Sequence, residues 1–154
     1  AGKLGRGGRR LIRLRDTFFE KGAQGAPALR EWLREEGNRE FAEWTEKYPG
    51  HVLAPVARFY GGRGLILTSR FAEGRRWLRS ILEARDGTSL RDDALFWEGY
   101  AFQQERRPTD AARSFGVLLR DYSWSASASK IRGKFEPAGP EPEPPDQPAV
   151  RGDL

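Results

Sequence analysis

The chain has 154 residues, 38% of them apolar and 32% charged, and a net charge of +5 at pH 7. This length suits one domain of ordinary size or roughly three or four stacked helical repeats. No apolar run approaches the ~20 residues that a membrane-spanning helix needs, and the lack of cysteine excludes disulfides, thiolate metal sites and a cysteine nucleophile. His51, the single histidine, gives no basis for a histidine metal cluster or a Ser–His–acid triad, so we expect no enzyme, metal or cofactor.

The chain opens with a basic arm, which we place at residues 1–15. Six basic residues and no acid give this arm a charge of +6. It could hold phosphates of nucleic acid or of anionic lipid headgroups, and the arginines that would do so are Arg6, Arg9, Arg10 and Arg13. Two other interpretations stay open: a solvated tail, or the polar flank of an export signal or membrane anchor that precedes it. The rest of the chain mixes acids among its arginines, which argues against a dedicated nucleic-acid surface.

Residues 16–135 are expected to form an all-α domain. Their apolar residues recur at spacings of three and four, and no segment shows the sustained alternation of a strand. The amphipathic segments, including one that starts within the arm, cover residues 11–19, 29–33, 41–48, 56–66, 77–82, 95–102 and 115–119. Short turns between helices of this length imply antiparallel neighbours.

Turn residues predict where some of these helices begin and end. Pro49 cannot continue a helix, and Gly50 can adopt the left-handed conformation that closes one. Ser89 and Asp92 resemble a helix-start box. Pro108 fits the first turn of a helix, where the missing amide hydrogen costs nothing.

The last predicted segment is a tail at residues 136–154, which holds six of the ten prolines and carries a net charge of −4. Proline has no amide hydrogen and fixes φ, so we expect an extended, disordered segment. A linker, a loose terminus and a proline-rich ligand for a small recognition domain are all consistent with this composition.

The helical domain contains an internal repeat of 37 residues. A shift by this period places Phe59 on Phe96, Tyr60 on Trp97, Gly62 on Gly99, Leu78 on Phe115 and Leu82 on Leu119. A mid-helix glycine costs about 1 kcal/mol relative to alanine. We therefore expect Gly62 and Gly99 at points where a neighbouring helix approaches the backbone closely.

The best copy of the repeat resembles a tetratricopeptide repeat. It has Leu95, Gly99 and Phe102 on its first helix and then Ala111 and Phe115 on its second. The resemblance covers residues 25–135, and the period exceeds the family's about 34 residues, so the turns between copies must be longer. It implies stacked antiparallel helix hairpins, that is, a TPR-like α-solenoid. The longer copies are also similar to repeat proteins of the bacterial cell envelope, which favours that location over the cytoplasm.

In this family the first helix of each pair lines a concave groove, so the resemblance implies a non-enzymatic scaffold that binds a peptide or a partner helix. The residues that would line the groove are Val56, Phe59, Arg63, Ile66, Asp93, Phe96, Tyr100 and Gln103. Phe59 and Phe96 could instead belong to the core, and we assign Trp44, Trp77 and Trp97 to packing between helices. The neighbouring carboxylates Glu35-Glu36 and Asp92-Asp93 do not face each other on a helix, which argues further against an enzyme.

Overall fold

The computed structural model describes residues 4–84 and 89–133, and within these ranges the chain forms helices and no β-strand. The predicted all-α class is therefore confirmed. The helices are α1 (Gly5–Gln24), α2 (Ala26–Trp32), α3 (Asn38–Lys47), α4 (Ala54–Leu67), α5 (Phe71–Leu82), α6 (Arg91–Gln104), α7 (Pro108–Asp121) and α8 (Ala126–Ile131). A π-helical turn, Leu33–Gly37, joins α2 to α3. The predicted proline-rich tail lies outside the described residues.

Helices that are close in sequence pack against one another. Helix α3 packs on α4, α4 on α5, α5 on α6 and α6 on α7, while α1 lies against α2 and α3. The short α8 contacts both α6 and α7, and α4 also contacts α6. Each helix thus covers the apolar face of its neighbours.

The buried apolar residues form three clusters that follow the chain. The first draws on α1 to α4, the second on α4 to α6, and the third on α6 to α8. Helices α4 and α6 contribute to two clusters each, for example Ala57 to the first and Ile66 to the second. Because α4 and α6 are covered from two sides, they show almost no amphipathic asymmetry in sequence.

Residues 5–15 of the predicted basic arm are part of a helix. Helix α1 runs without a break across position 15, and Leu11 and Leu14 are buried in the first cluster. The indole nitrogen of Trp44 donates a hydrogen bond of 2.7 Å to the carbonyl oxygen of Gly7, which fixes the first turns of α1 on α3. The boundary that we drew between arm and domain therefore falls inside a packed helix.

The two apolar segments predicted at residues 29–33 and 41–48 are joined by continuous helical backbone. The backbone stays helical from Trp32 through the π-helical turn to Asn38. At Gly37 an added Cβ would lie 2.7 Å from the ring of Trp32. Glycine therefore lets this ring lie directly against the backbone of the widened turn.

Close approach of helices explains the two repeated glycines, as predicted. A Cβ at Gly99 would lie 2.4 Å from Cε1 of Phe115, and one at Gly62 would lie 3.1 Å from Cδ2 of Leu78. Leu78 and Phe115 are themselves 37 residues apart. The same glycine-to-apolar contact therefore joins α4 to α5 and α6 to α7.

The turns within these two helix pairs are also built alike. Ser69 and Arg106, which are 37 residues apart, both have left-handed backbones, with φ of 68° and 61°. In each turn the next amide donates to a carbonyl five residues back: Arg70 to Leu65 at 2.8 Å, and Arg107 to Phe102 at 2.9 Å. This pattern of backbone hydrogen bonds at the C-terminus of a helix is a Schellman motif.

The predictions from turn residues have mixed outcomes. Pro108 is the first residue of α7, as expected, and α3 ends at Lys47, just before Pro49. Gly50, however, does not have the positive φ that we predicted. The predicted box of Ser89 and Asp92 is wrong, since α6 starts after Leu90 with no side-chain cap.

Candidate partner-binding surface

Aromatic residues of α1, α4 and α6 converge on the guanidinium group of Arg63. The guanidinium carbon lies 4.7 Å from the ring centroid of Trp97 and 5.1 Å from that of Phe18. The rings of Phe59 and Tyr60 are each 5.6 Å away. Three helices therefore supply the rings around one cation, and cation–π attraction stabilises its position.

Arg63 has no ion-pair partner in the part of the chain that the structure describes. Among the described residues its side chain makes no hydrogen bond or ion pair, and its Nε is buried without a partner. Burial lowers the pKa of Arg63 from its ordinary value, although the nearby Tyr60 and Asp93 act in the opposite direction. An arginine nevertheless remains charged at every physiological pH. The structure thus holds a partly dehydrated cation whose donors are unused.

Further rings extend this site across the surface. Phe19 is 50% exposed, and its ring centroid lies 5.5 Å from that of Tyr60. On the other side of Arg63, the rings of Trp97 and Tyr100 are 5.4 Å apart in an edge-to-face arrangement. We call this patch the Arg63 surface and define it by Phe19, Tyr60, Arg63, Trp97 and Tyr100.

The eight residues predicted to line the groove differ in burial. Val56, Arg63, Asp93, Phe96 and Tyr100 are half-buried, and Gln103 is exposed. Phe59 and Ile66 are only 3% and 2% exposed and lie in the second core cluster. The prediction that they line an accessible groove is therefore corrected. The reason is that α4 is covered on two sides.

Phe96 contacts a different part of the molecule from Arg63. Its ring centroid lies 6.3 Å from that of Phe115, and Nζ of Lys130 stands 5.0 Å from the ring. It therefore packs towards α7 and α8. Of the predicted residues, the structure brings Phe59 and Asp93 close to Arg63, and Tyr100 contacts this group through Trp97.

Several residues of the surface were missed from the sequence. Trp97 was assigned to packing alone, yet it is half-buried and stacks on Arg63. The match of Tyr60 with Trp97 across the 37-residue shift was the signal that could have identified both. Phe18 and Phe19 gave no such signal, because α1 precedes the residues that the repeat covered.

The four arginines of the predicted arm have two different environments on α1. Arg10 bonds to Glu40 at 2.5 Å and lies 3.5 Å from Glu43. The hydrogen bond to Glu40 and the charges of both carboxylates raise the pKa of Arg10, with burial opposing them. Arg6, Arg9 and Arg13 are exposed at spacings of three and four, so they share one face of the helix.

The surface has two grooves away from Arg63. One of about 520 Å³ runs between α1 and the π-helical turn and includes Arg13 and Trp32. Another of about 400 Å³ lies between α5, α6 and α7 and includes Glu98, which is only 3% exposed. Ser114 donates to one oxygen of Glu98 at 2.8 Å and Arg79 to the other at 2.5 Å. Both oxygens are occupied, so this carboxylate serves packing between helices.

The described residues contain neither a candidate metal cluster nor a candidate membrane-spanning helix. No group of three or more acidic or histidine side chains there is placed to hold a metal ion. No helix in residues 4–84 and 89–133 combines the length and apolar character needed to cross a membrane.

Comparison of the chain with models of protein families, with curated proteins and with solved structures gave no match. The resemblance to tetratricopeptide repeats therefore stays a prediction. Across residues 4–84 and 89–133 the structure shows helices that pack against their neighbours, and on α4 an arginine that is surrounded by aromatic rings and has no ion pair within these ranges.

Proposed function

We propose that this protein is a non-enzymatic interaction scaffold that binds a peptide or a partner helix on the Arg63 surface of a TPR-like stack. The observation that supports the proposal is Arg63 itself, a partly dehydrated guanidinium among four rings with no counter-ion among the described residues. Leaving such a group unpaired is costly, and a partner that supplies an acceptor recovers that cost.

The composition of the surface supports the same proposal. Tryptophan, tyrosine and arginine are the residues that most often dominate binding energy at protein interfaces. The Arg63 surface contains all three, and its half-exposed Phe19 adds apolar area at the edge. The rings come from α1, α4 and α6, and α4 and α6 are the first helices of two successive pairs, which are the helices that line the groove in the proposed repeat stack. From the family resemblance we extend the proposal to the bacterial cell envelope.

Affinity capture from the source cell tests this function. We expect Arg63→Gln and Tyr100→Ala each to reduce the yield of a specific partner about tenfold, as loss of a charged hydrogen bond or an aromatic anchor does. Trp124→Ala is the matched control, because Trp124 is 76% exposed and lies outside the Arg63 surface. Circular dichroism should show unchanged helicity in all three variants. Equal capture by all three variants and the unmodified chain would contradict the proposal.

A second candidate function is binding of an anionic surface or nucleic acid by α1. It is favoured by one observation: Arg6, Arg9 and Arg13 are exposed on one face of the helix, and none forms an ion pair within the described chain. Phosphates that pair with such a stripe release counter-ions, so the affinity should fall steeply with salt.

A further inference from the structure

The unpaired cation of the Arg63 surface points to a ligand within the same chain. We propose that residues 136–154 bind in cis on the Arg63 surface, with the carboxylate of Glu141 or Glu143 paired to Arg63. The inference rests on the proposed function, since it assigns an occupant to the same surface. An external partner would then have to displace these residues.

Charge complementarity is the first argument. Residues 136–154 carry five acids and one arginine, a net charge of −4, whereas the rest of the chain carries +9. Opposite charges joined by a short linker are held at high effective concentration. A planar guanidinium also matches a carboxylate better than any other anion-binding side chain does.

The second argument is the chemistry around the two glutamates. Pro140, Pro142 and Pro144 alternate with Glu141 and Glu143. Proline-rich segments bind to grooves lined by aromatic rings, because their backbone is already extended before binding. The Arg63 surface offers the rings on both sides of its single cation.

The third argument is reach. Helix α8 packs on α6 and brings Nζ of Lys130 within 5.0 Å of the ring of Phe96. The rings of Phe96 and Trp97 are 5.5 Å apart, and Trp97 lies 4.7 Å from Arg63. These steps place Nζ of Lys130 within about 15 Å of the guanidinium group of Arg63. Gly133 follows Lys130 by three residues, and the eight residues from Gly133 to Glu141 can span up to ~29 Å when extended. The length of the linker is therefore comparable to the distance that it has to cover.

Substitution of Asp93 tests independently whether charge near Arg63 affects the proposed binding. It acts on Arg63 electrostatically, and its Oδ1 accepts a hydrogen bond from Ser127. An incoming carboxylate would be repelled by Asp93. In Asp93→Asn the amide oxygen can still accept from Ser127, while the repulsion is removed.

Paramagnetic NMR on the full chain tests this proposal. The chain contains no cysteine, so Gln147→Cys gives a single site for a nitroxide label. We expect the label to broaden the indole N–H signal of Trp97 more strongly than that of Trp44. Arg63→Gln, and separately Glu141→Gln with Glu143→Gln, should lower the docked population about tenfold. Asp93→Asn should increase it.

Three results would overturn the proposal. One is the absence of selective broadening at Trp97, and another is broadening that the Arg63 and glutamate variants leave unchanged. The third is broadening that appears only between a labelled chain and a separate isotope-labelled chain, which would place the contact between copies. If any of these is found while partner capture still depends on Arg63 and Tyr100, the proposed function stands without this occupant.

Discussion

At the scale of single residues, the repeated glycines show how the helix pairs are held. Gly99 and Phe115 are in contact at the point where α6 crosses α7, and a methyl group there would overlap the ring. Gly116 lies on α7 only one residue from Phe115, yet an added Cβ there would meet nothing within 4 Å. Two glycines in the same helix pair thus have opposite roles.

This difference gives a stability prediction. Gly99→Ala should lower the free energy of unfolding by about 1–3 kcal/mol, because it overpacks a filled contact. Gly116→Ala should raise it by about 1 kcal/mol, because alanine favours helix and has space. Urea unfolding followed by circular dichroism measures both. A neutral Gly99→Ala would show that close packing does not account for the repeated glycine.

The residues of the two helix pairs show how much of the packing could be predicted from the sequence. The 37-residue shift identified Gly62 and Gly99 as contact points, because a costly residue recurs only where packing requires it. It did not identify Ser69 and Arg106 as left-handed turn residues, since neither is a glycine and each owes its conformation to the helix that it ends. Nor could it separate the buried Phe59 from the accessible Tyr60, because α4 is apolar on two faces.

At the scale of elements, α1 combines a buried face with a basic one. Leu11 and Leu14 belong to the first cluster, while Arg6, Arg9 and Arg13 lie exposed. The sequence indicated both the charge and an amphipathic segment at residues 11–19, but the arm boundary at position 15 divides that segment, which the structure shows within one helix. Deleting residues 1–15 would therefore remove core residues as well as charge, and it cannot serve as a test of anion binding.

Substitution of the exposed arginines tests the basic face without removing the helix. Arg6→Gln, Arg9→Gln and Arg13→Gln combined should weaken binding to duplex DNA or phosphatidylserine vesicles. If all three pair with phosphates, the slope of log affinity for DNA against log salt should shrink by about 3. The control removes three exposed charges elsewhere, with Arg34→Gln, Arg76→Gln and Arg132→Gln. Equal losses in both triple variants would mean that net charge alone, and not α1, governs binding.

At the scale of the whole molecule, the order of the core clusters decides whether a binding surface can exist. Three clusters follow one another along the chain, and neighbouring clusters share α4 or α6. In the proposed stack each helix pair depends on its neighbours, so the loss of stability caused by a substitution at one end should stay local. A bundle closed around one centre would lose stability in all helices at once.

Amide hydrogen exchange on a matched pair of core variants measures most directly whether the loss of stability stays local. Leu118→Ala leaves a cavity in the third cluster, and Leu11→Ala leaves one in the first. Such substitutions lower the free energy of unfolding by about 2–5 kcal/mol. For a stack, Leu118→Ala accelerates amide exchange in α6, α7 and α8 while α1 to α3 keep their protection, and Leu11→Ala gives the reverse pattern. If both variants accelerate exchange equally in every helix, the helices share a single core, and the account of a stacked molecule with an open Arg63 surface is wrong.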